Sequence, residues 1–318
     1  MRNKVNILID PSHSNWILGG LFKEVSLTDL DFFNTPKEIS RLKSLLVLKS
    51  VFNVFVLSYK RSPIIFSSIT PYQNFHKLNP FNFSLKFLWL THFETEPDLK
   101  IVSLLNKANI IFVHSESMRL HLQNIGVVSK VIPVIGAIDP ELFGNLPVPG
   151  NKIAWVGTTA SRKNLEMFLE FARRNLDLNF KILGKNWKNH YIYKEFEKLK
   201  NVEYVEITSK VKYQDFHECS HYLMLSKFEG GPISLLEALA SGLIPICTPV
   251  GIAPELLTKC GYELQLLENH YSADSIRIKY MNPYSLVHRV QVSNFVKTFS
   301  IARLSQTFQN EIIEFLDN

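Results

Sequence analysis

Along most of this chain, short apolar runs alternate with amphipathic stretches of hydrophobic and polar positions. Short runs rich in Val, Ile, Leu and Phe are typical of buried strands. They predict strands at Val5–Ile9, Val51–Ser58, Pro63–Ser68, Phe87–His92, Ala108–Val113, Lys130–Ile135, Ile153–Gly157, Phe180–Gly184, Val202–Ile207, Tyr222–Ser226 and Ile244–Thr248. Amphipathic stretches predict helices at residues 36–48, Leu99–Lys107, Glu116–Leu122, Tyr191–Leu199 and Val211–Cys219, after Lys163 and Pro232, and within 282–318. This alternation favours an α/β fold with parallel sheets.

One segment lacks such a pattern, and another reads as a linker. Thr70–Phe87 is rich in Pro, Asn and Phe without a clean period, so it is predicted to be a long loop or short helices. Asn145–Asn151 contains two prolines and a glycine, which is typical of a linker. The sequence of 318 residues is long enough for two domains of ordinary size. We therefore expect domains over residues 1–147 and 148–295, followed by a C-terminal helix over 296–318.

Composition and charge narrow the class of protein. Apolar residues make up 46% of the chain and charged residues 20%, which indicates a globular protein. The net charge of +6 comes from scattered lysines without a nucleic-acid motif, so we expect no nucleic-acid partner. The three cysteines lack C-x-x-C spacing, and the apolar runs are too short for a signal peptide or a membrane span. These features predict a cytoplasmic protein.

The most informative segment runs from Lys227 to Cys247. It places Glu229 directly before Gly230, Gly231 and Pro232, and it places Glu237 among leucines and alanines of the following helix. A helix that is apolar all round is buried, and a buried carboxylate needs a partner. The simpler partner is a Lys or Arg elsewhere in the fold.

The alternative partner of Glu237 is a vicinal diol such as a ribose, whose hydroxyls donate to both carboxylate oxygens. Glycines at a helix N-terminus let backbone N–H groups approach an anion such as a phosphate. A diol acceptor close to a phosphate site favours a nucleotide pocket formed by Gly230, Gly231, Pro232 and Glu237. Because no G-x-G-x-x-G follows Gly157, we expect no dinucleotide cofactor.

The motif from Glu229 to Glu237 resembles the signature of retaining GT-B glycosyltransferases, closest to the family 4 (group 1) type. The resemblance continues through Pro249, Gly251, Pro254 and Glu255. It implies two Rossmann-like domains that face each other across a cleft, with the C-terminal helix returning to the first domain. It also implies a nucleotide-diphosphate sugar as donor, held by the second domain, and Glu229 as a contact of the donor sugar.

The loop after Gly157 departs from this family. The resemblance implies an arginine soon after the glycine and a lysine a few residues on, which together neutralise the leaving diphosphate. Lys163 matches the lysine, but Thr158 stands beside Gly157, and Arg162 is the candidate to replace the arginine. Cations facing the diphosphate stabilise the charge that develops as the glycosidic bond breaks. We also assign Gly184, at the end of the next strand, to the donor site.

Candidates in the first domain are fewer. His92 ends a predicted strand, where ligands of α/β domains bind, and it is the candidate for holding a sugar hydroxyl or moving a proton. A histidine that only caps the strand is the simpler alternative. Gly19 and Gly20 form a glycine loop after the first strand, and the resemblance places such a loop on the acceptor side.

We therefore predict a glycosyltransferase that moves a sugar from a nucleotide-diphosphate sugar to a hydroxyl of a glycan or lipid-linked acceptor. Retention follows from the resemblance alone. A metal is not expected, because no D-x-D-like carboxylate pair lies in a suitable loop. Contact with anionic membrane is a further expectation from lipid-linked acceptors. The alternatives are a non-catalytic nucleotide- or sugar-binding protein on the same fold, a nucleotide-sugar epimerase and a phosphorylase.

Overall fold

The computed structural model describes residues 5–9, 30–34, 64–66, 69–78, 85–93, 96–208, 210–268, 270–281 and 284–317. The chain divides into two compact units. The first comprises Met1–Ile135 together with Ile301–Asn318, and the second comprises Gly136–Ser300. The predicted strand Val51–Ser58, the predicted helix at 36–48 and the glycines Gly19 and Gly20 lie outside the described residues.

The first unit contains a parallel sheet. Its described strands are β1 (Val5–Ile9), β2 (Leu30–Asn34), β3 (Ile64–Phe66), β4 (Lys86–Trp89), β5 (Ile110–Val113) and β6 (Lys130–Pro133). They lie in the order β2-β1-β3-β4-β5-β6, and every pair is parallel. The described helices between strands are α1 (Ile69–Leu78), α2 (Leu99–Leu105) and α3 (Glu116–Asn124).

Both faces of this sheet are covered, which explains the continuous apolar runs of its strands. Leu88 and Ile111 belong to a buried cluster with residues of α1, α2 and α3. Trp89 and Phe112 are packed against Phe308 of the C-terminal helix, α10 (Ile301–Asp317), with ring centroids 5.2 and 4.4 Å apart, respectively. The C-terminal helix therefore returns to the first unit.

The second unit contains another parallel sheet. Its strands are β7 (Lys152–Gly157), β8 (Asn179–Gly184), β9 (Val202–Glu206), β10 (Cys219–Met224) and β11 (Ile244–Cys247), in the order β11-β10-β7-β8-β9. Its helices are α4 (Leu165–Arg174), α5 (Tyr191–Phe196), α6 (Ile233–Ala240), α7 (Ala253–Lys259), α8 (Ala273–Tyr280) and α9 (Leu286–Lys297). A buried cluster that includes Trp155, Phe168, Phe180 and Trp187 joins the sheet to its helices.

One prediction of local structure is confirmed in one of its two alternatives, and one was wrong. Ile69–Leu78, at the start of the segment predicted to be a long loop or short helices, is a helix, and its Tyr72 and Phe75, three residues apart on one face, are buried. The predicted helix Val211–Cys219 is instead a 3-10 turn at Tyr213–Phe216 that leads into β10. Phe216, within this turn, is fully buried.

Candidate functional site

The two segments that carry the main candidates meet at one edge of the second sheet. The 3-10 turn Ser161–Lys163 follows β7, and Glu229 follows β10, the strand that pairs with β7. Because the carboxyl ends of parallel strands lie at the same edge, these loops are neighbours. The backbone N–H of Lys227 donates to the carbonyl of Arg162 at 2.8 Å, which joins them directly.

Glu229 is the centre of a buried charge cluster. Its Oε1 lies 2.7 Å from Nζ of Lys163, forms a second ion pair with Arg162, and accepts a hydrogen bond from Ser226 Oγ at 2.9 Å. Glu229 and Lys163 are each only 8% exposed. Burial opposes ionisation of Glu229, but the charges of Lys163 and Arg162 outweigh it and hold its pKa below the usual value. One anion thus faces two cations, which leaves the cluster with one surplus positive charge.

The N-terminus of α6 lies directly after this cluster. Pro232 is the N-cap residue, and its side chain accepts no hydrogen bond. Within the described part of the chain, no group accepts a hydrogen bond from the N–H of Ile233 or Ser234. Free N–H groups at a helix start carry partial positive charge and attract anions.

Glu237 lies in the second turn of α6 and has a different environment from Glu229. It is 8% exposed, and the other α6 residues from Ser234 to Ala240 are buried as well. Among the described residues, no side chain forms a hydrogen bond or ion pair with its carboxylate. Burial raises the pKa of Glu237 to about 8; the negative charge of Asp215 raises it further, and the positive charge of Lys210 offsets part of this rise. The simpler partner, a fixed Lys or Arg clasping Glu237, is therefore missing from the described residues.

A tyrosine fixes the turn that carries Arg162 and Lys163. Asn164, which ends the turn, has a left-handed backbone with φ of 56°. Its Nδ2 donates to the hydroxyl of Tyr271 at 2.8 Å, and that hydroxyl donates to the carbonyl of Leu225 at 3.4 Å. Tyr271 thus bridges the β7 loop and the β10 loop. Sequence analysis missed Tyr271 and Ser226, because neither residue belongs to the motif.

Backbone conformation and packing explain why glycine stands at two strand ends. Gly157 has φ of +152°, which disfavours other residues, and its carbonyl accepts a hydrogen bond from Trp187 Nε1 at 3.0 Å. A Cβ atom on Gly184 would lie 2.5 Å from the ring of Tyr204 and 2.9 Å from that of Trp187. Packing therefore explains Gly184 without a ligand. Thr158 is partly buried in the same loop as Gly157.

The first unit contains His92, which is half-buried and follows β4. Sequence analysis overlooked a second histidine, His114, which directly follows β5 and is only 4% exposed. Trp89 Nε1 donates to His114 Nε2 at 3.0 Å, so a neutral His114 carries its proton on Nδ1. The apolar run that precedes His114 was the signal that could have found it.

Within the residues that the structure describes, no group of three or more His, Cys, Asp or Glu is placed to hold a metal ion. Across the same residues, every helix is too short or too polar to pass through a bilayer.

Comparison with known proteins identifies a protein family that the second unit resembles. Residues 143–276 match the family model described as glycosyl transferases group 1, and this span includes both the Lys163 turn and the Glu229 motif. The matched residues all lie in the second unit. No curated protein matches the chain.

Solved structures resemble the whole chain. Sucrose-phosphate synthase from Thermosynechococcus elongatus has a TM-score of 0.75 at 12% identity, with 99% of both chains covered. HepE from Anabaena, in complex with UDP, has a TM-score of 0.71 at 11% identity, with 98% of this chain and 100% of that chain covered. A mutant of TarM from S. aureus, in complex with fondaparinux, alpha-GlcNAc-glycerol and UDP, has a TM-score of 0.60 at 17% identity. That match covers 82% of this chain and 58% of TarM.

These matches establish the α/β GT-B fold with its two parallel sheets. The match to the glycosyl transferases group 1 model supports a glycosyltransferase. The roles of individual residues stay predictions that rest on the geometry described above.

Proposed function

We propose that the protein transfers a sugar from a nucleoside-diphosphate sugar to a hydroxyl of a glycan or lipid-linked acceptor. The observation that carries this proposal is the contrast between two buried carboxylates in one domain. Glu229 faces Lys163 and Arg162, whereas Glu237 has no donor among the described residues. A nucleoside diphosphate offers what each part of the site lacks, namely anionic oxygens for the cations and ribose hydroxyls for Glu237.

Each residue then has a definite task. Lys163, Arg162 and the first N–H groups of α6 hold the diphosphate, and Arg162 does the work of the arginine that Thr158 replaces. When the bond between the anomeric carbon and the phosphate oxygen breaks, the electron pair stays on the diphosphate. Fixed cations stabilise that charge, and one good group contributes about 3–4 kcal/mol. Because two cations and a helix N-terminus balance the diphosphate, we propose that the reaction needs no metal and no cofactor.

The donor sugar and the acceptor complete the proposal. We assign Glu229 to hydroxyls of the donor sugar and His92, together with Gly19 and Gly20, to the acceptor side. UDP in the HepE and TarM structures supports a nucleoside diphosphate as ligand. The glycan ligands of TarM support a glycan acceptor. Retention of anomeric configuration is proposed from the group 1 resemblance, and contact with anionic membrane from lipid-linked acceptors.

Thermal-shift screening with UDP, GDP, ADP and TDP and their sugars tests the site. A ligand at 100 times its Kd stabilises the fold by about 2.7 kcal/mol. Glu237→Ala should abolish the shift, whereas Glu203→Gln, which removes a carboxylate near the amino end of β9, should preserve it. Failure of every nucleotide to stabilise the wild type would refute the proposal.

Turnover then separates the enzyme from its alternatives. A glycosyltransferase releases the nucleoside diphosphate when donor and acceptor are both present. A non-catalytic binding protein would bind the nucleotide and release none from any donor. An epimerase would convert the donor sugar without an acceptor, which chromatography of the donor detects.

A further inference from the structure

Glu229 uses a single carboxylate oxygen to neutralise both cations that we assign to the diphosphate. Oε1 lies 2.7 Å from Lys163 Nζ and is also paired with Arg162. A diphosphate that binds these cations must therefore replace the carboxylate as their counter-ion. A role of Glu229 in binding the donor sugar does not by itself explain why Glu229 is paired with Lys163 and Arg162.

We propose that Glu229 is an internal counter-ion that competes with the diphosphate for Lys163 and Arg162, so that the free nucleoside diphosphate binds weakly. This inference rests on the proposed function and adds a determinant of ligand preference at the same site. The intact donor carries sugar hydroxyls, which can donate hydrogen bonds to Glu229 when Lys163 and Arg162 bind the diphosphate. The free nucleoside diphosphate brings none, so Glu229 is left with fewer donors.

The surroundings of Glu229 make this difference large. The carboxylate is buried, and among the described residues its remaining donor is the hydroxyl of Ser226 at 2.9 Å. A buried carboxylate with too few partners is unfavourable, and that cost opposes binding of the free nucleotide. Glu229 therefore favours the donor over the product and promotes release of the product after transfer.

Titration calorimetry with UDP on the full chain tests this inference; GDP, ADP or TDP takes its place if that nucleotide is the one that binds the wild type. Glu229→Gln should bind UDP about tenfold more tightly, because the two cations lose their competitor. Glu203→Gln is the matched control, since it changes the net charge equally at an acid paired with Lys152. Its affinity for UDP should equal that of the wild type.

A second variant covers the case in which Glu229→Gln does not fold. Glu229→Asp keeps the charge but shortens the side chain, so its carboxylate reaches the cations less well and UDP should bind several-fold more tightly. Unchanged or weaker UDP binding in the folded Glu229 variants, or an equal gain in Glu203→Gln, would overturn the inference. Both of these results would leave the proposed function intact. A wild type that binds no nucleotide would instead refute the proposed function itself.

Discussion

Lys163 Nζ lies 2.7 Å from Oε1 of Glu229, and both side chains are buried. The lysine comes from the loop after β7 and the glutamate from the loop after β10, so the parallel pairing of these strands creates the contact. A buried cation beside a buried anion is stable only while both are present. The pair therefore contributes to the fold as well as to the proposed site.

Lys163→Gln should destabilise the fold by about 3 kcal/mol, because Glu229 loses one of its two cations in a buried position. The variant should also lose most of the stabilisation that UDP gives to the wild type. Urea unfolding with and without nucleotide measures both effects. Lys188→Gln is the control, since Lys188 is exposed and forms no ion pair among the described residues. Equal stabilities of the two variants would contradict the ion pair seen here.

The motif segment was predictable from the sequence, because Glu229, Pro232 and Glu237 are close together along the chain and local patterns fix their elements. The contact between Glu229 and Lys163 depends on strand order, which hydrophobic periodicity does not encode. Tyr271 was missed for the same reason, since its partners Asn164 and Leu225 are remote in sequence. Resemblance to a family assigned residues of both loops to the donor, and the structure showed that the loops are in contact.

Glu237 predicts a pH dependence with a definite sign. Its pKa in the folded protein, about 8, is above the ordinary value of 4.5, so the folded state holds a proton that the unfolded state has released between these values. Stability should therefore fall as pH rises from about 5 to 8, by up to about 1.4 kcal/mol per unit. Glu237→Gln should remove this slope, which urea unfolding at several pH values measures.

Nucleotide binding should show the opposite trend. Ribose hydroxyls donate to an ionised Glu237, so the affinity for UDP should rise with pH until the carboxylate is ionised near pH 8. A wild type whose stability has the same pH slope as Glu237→Gln would show that this carboxylate is ionised at neutral pH in the free protein.

Gly184→Ala should destabilise the second unit by about 1–3 kcal/mol, since its Cβ atom would meet the rings of Tyr204 and Trp187 at 2.5 and 2.9 Å. Gly144→Ala is the matched control, because its nearest neighbour would be 3.7 Å away. Thermal unfolding compares the two variants. A destabilised Gly184→Ala that still responds to UDP would assign this glycine to packing, whereas a stable variant without response would assign it to the donor.

Phe308→Ala should destabilise the first unit by about 3–5 kcal/mol, because this ring is fully buried against Trp89 and Phe112. Ile313→Ala lies on the same helix with 54% of the residue exposed, and it should cost much less. Tryptophan fluorescence during denaturation reports the loss, since Trp89 is a direct neighbour of the ring. Similar midpoints for both variants would argue against the observed docking of α10.

Tyr271→Phe should lower turnover about tenfold while the fold loses only about 1 kcal/mol, because a single hydroxyl bridges Asn164 and Leu225. Loss of the bridge frees the turn that carries Lys163, so kcat should fall more than the affinity for the donor. Asn164→Gly keeps the left-handed backbone but removes the amide that donates to Tyr271, and it should produce a similar loss.

The double variant of Tyr271 and Asn164 should be little worse than either single variant, since both substitutions break the same bridge. Tyr280→Phe is the control, as its hydroxyl donates to the carbonyl of Asn151 before β7 begins. Fully additive losses in the double variant would show that Tyr271 and Asn164 act independently, and the bridge would then have no role in positioning Lys163.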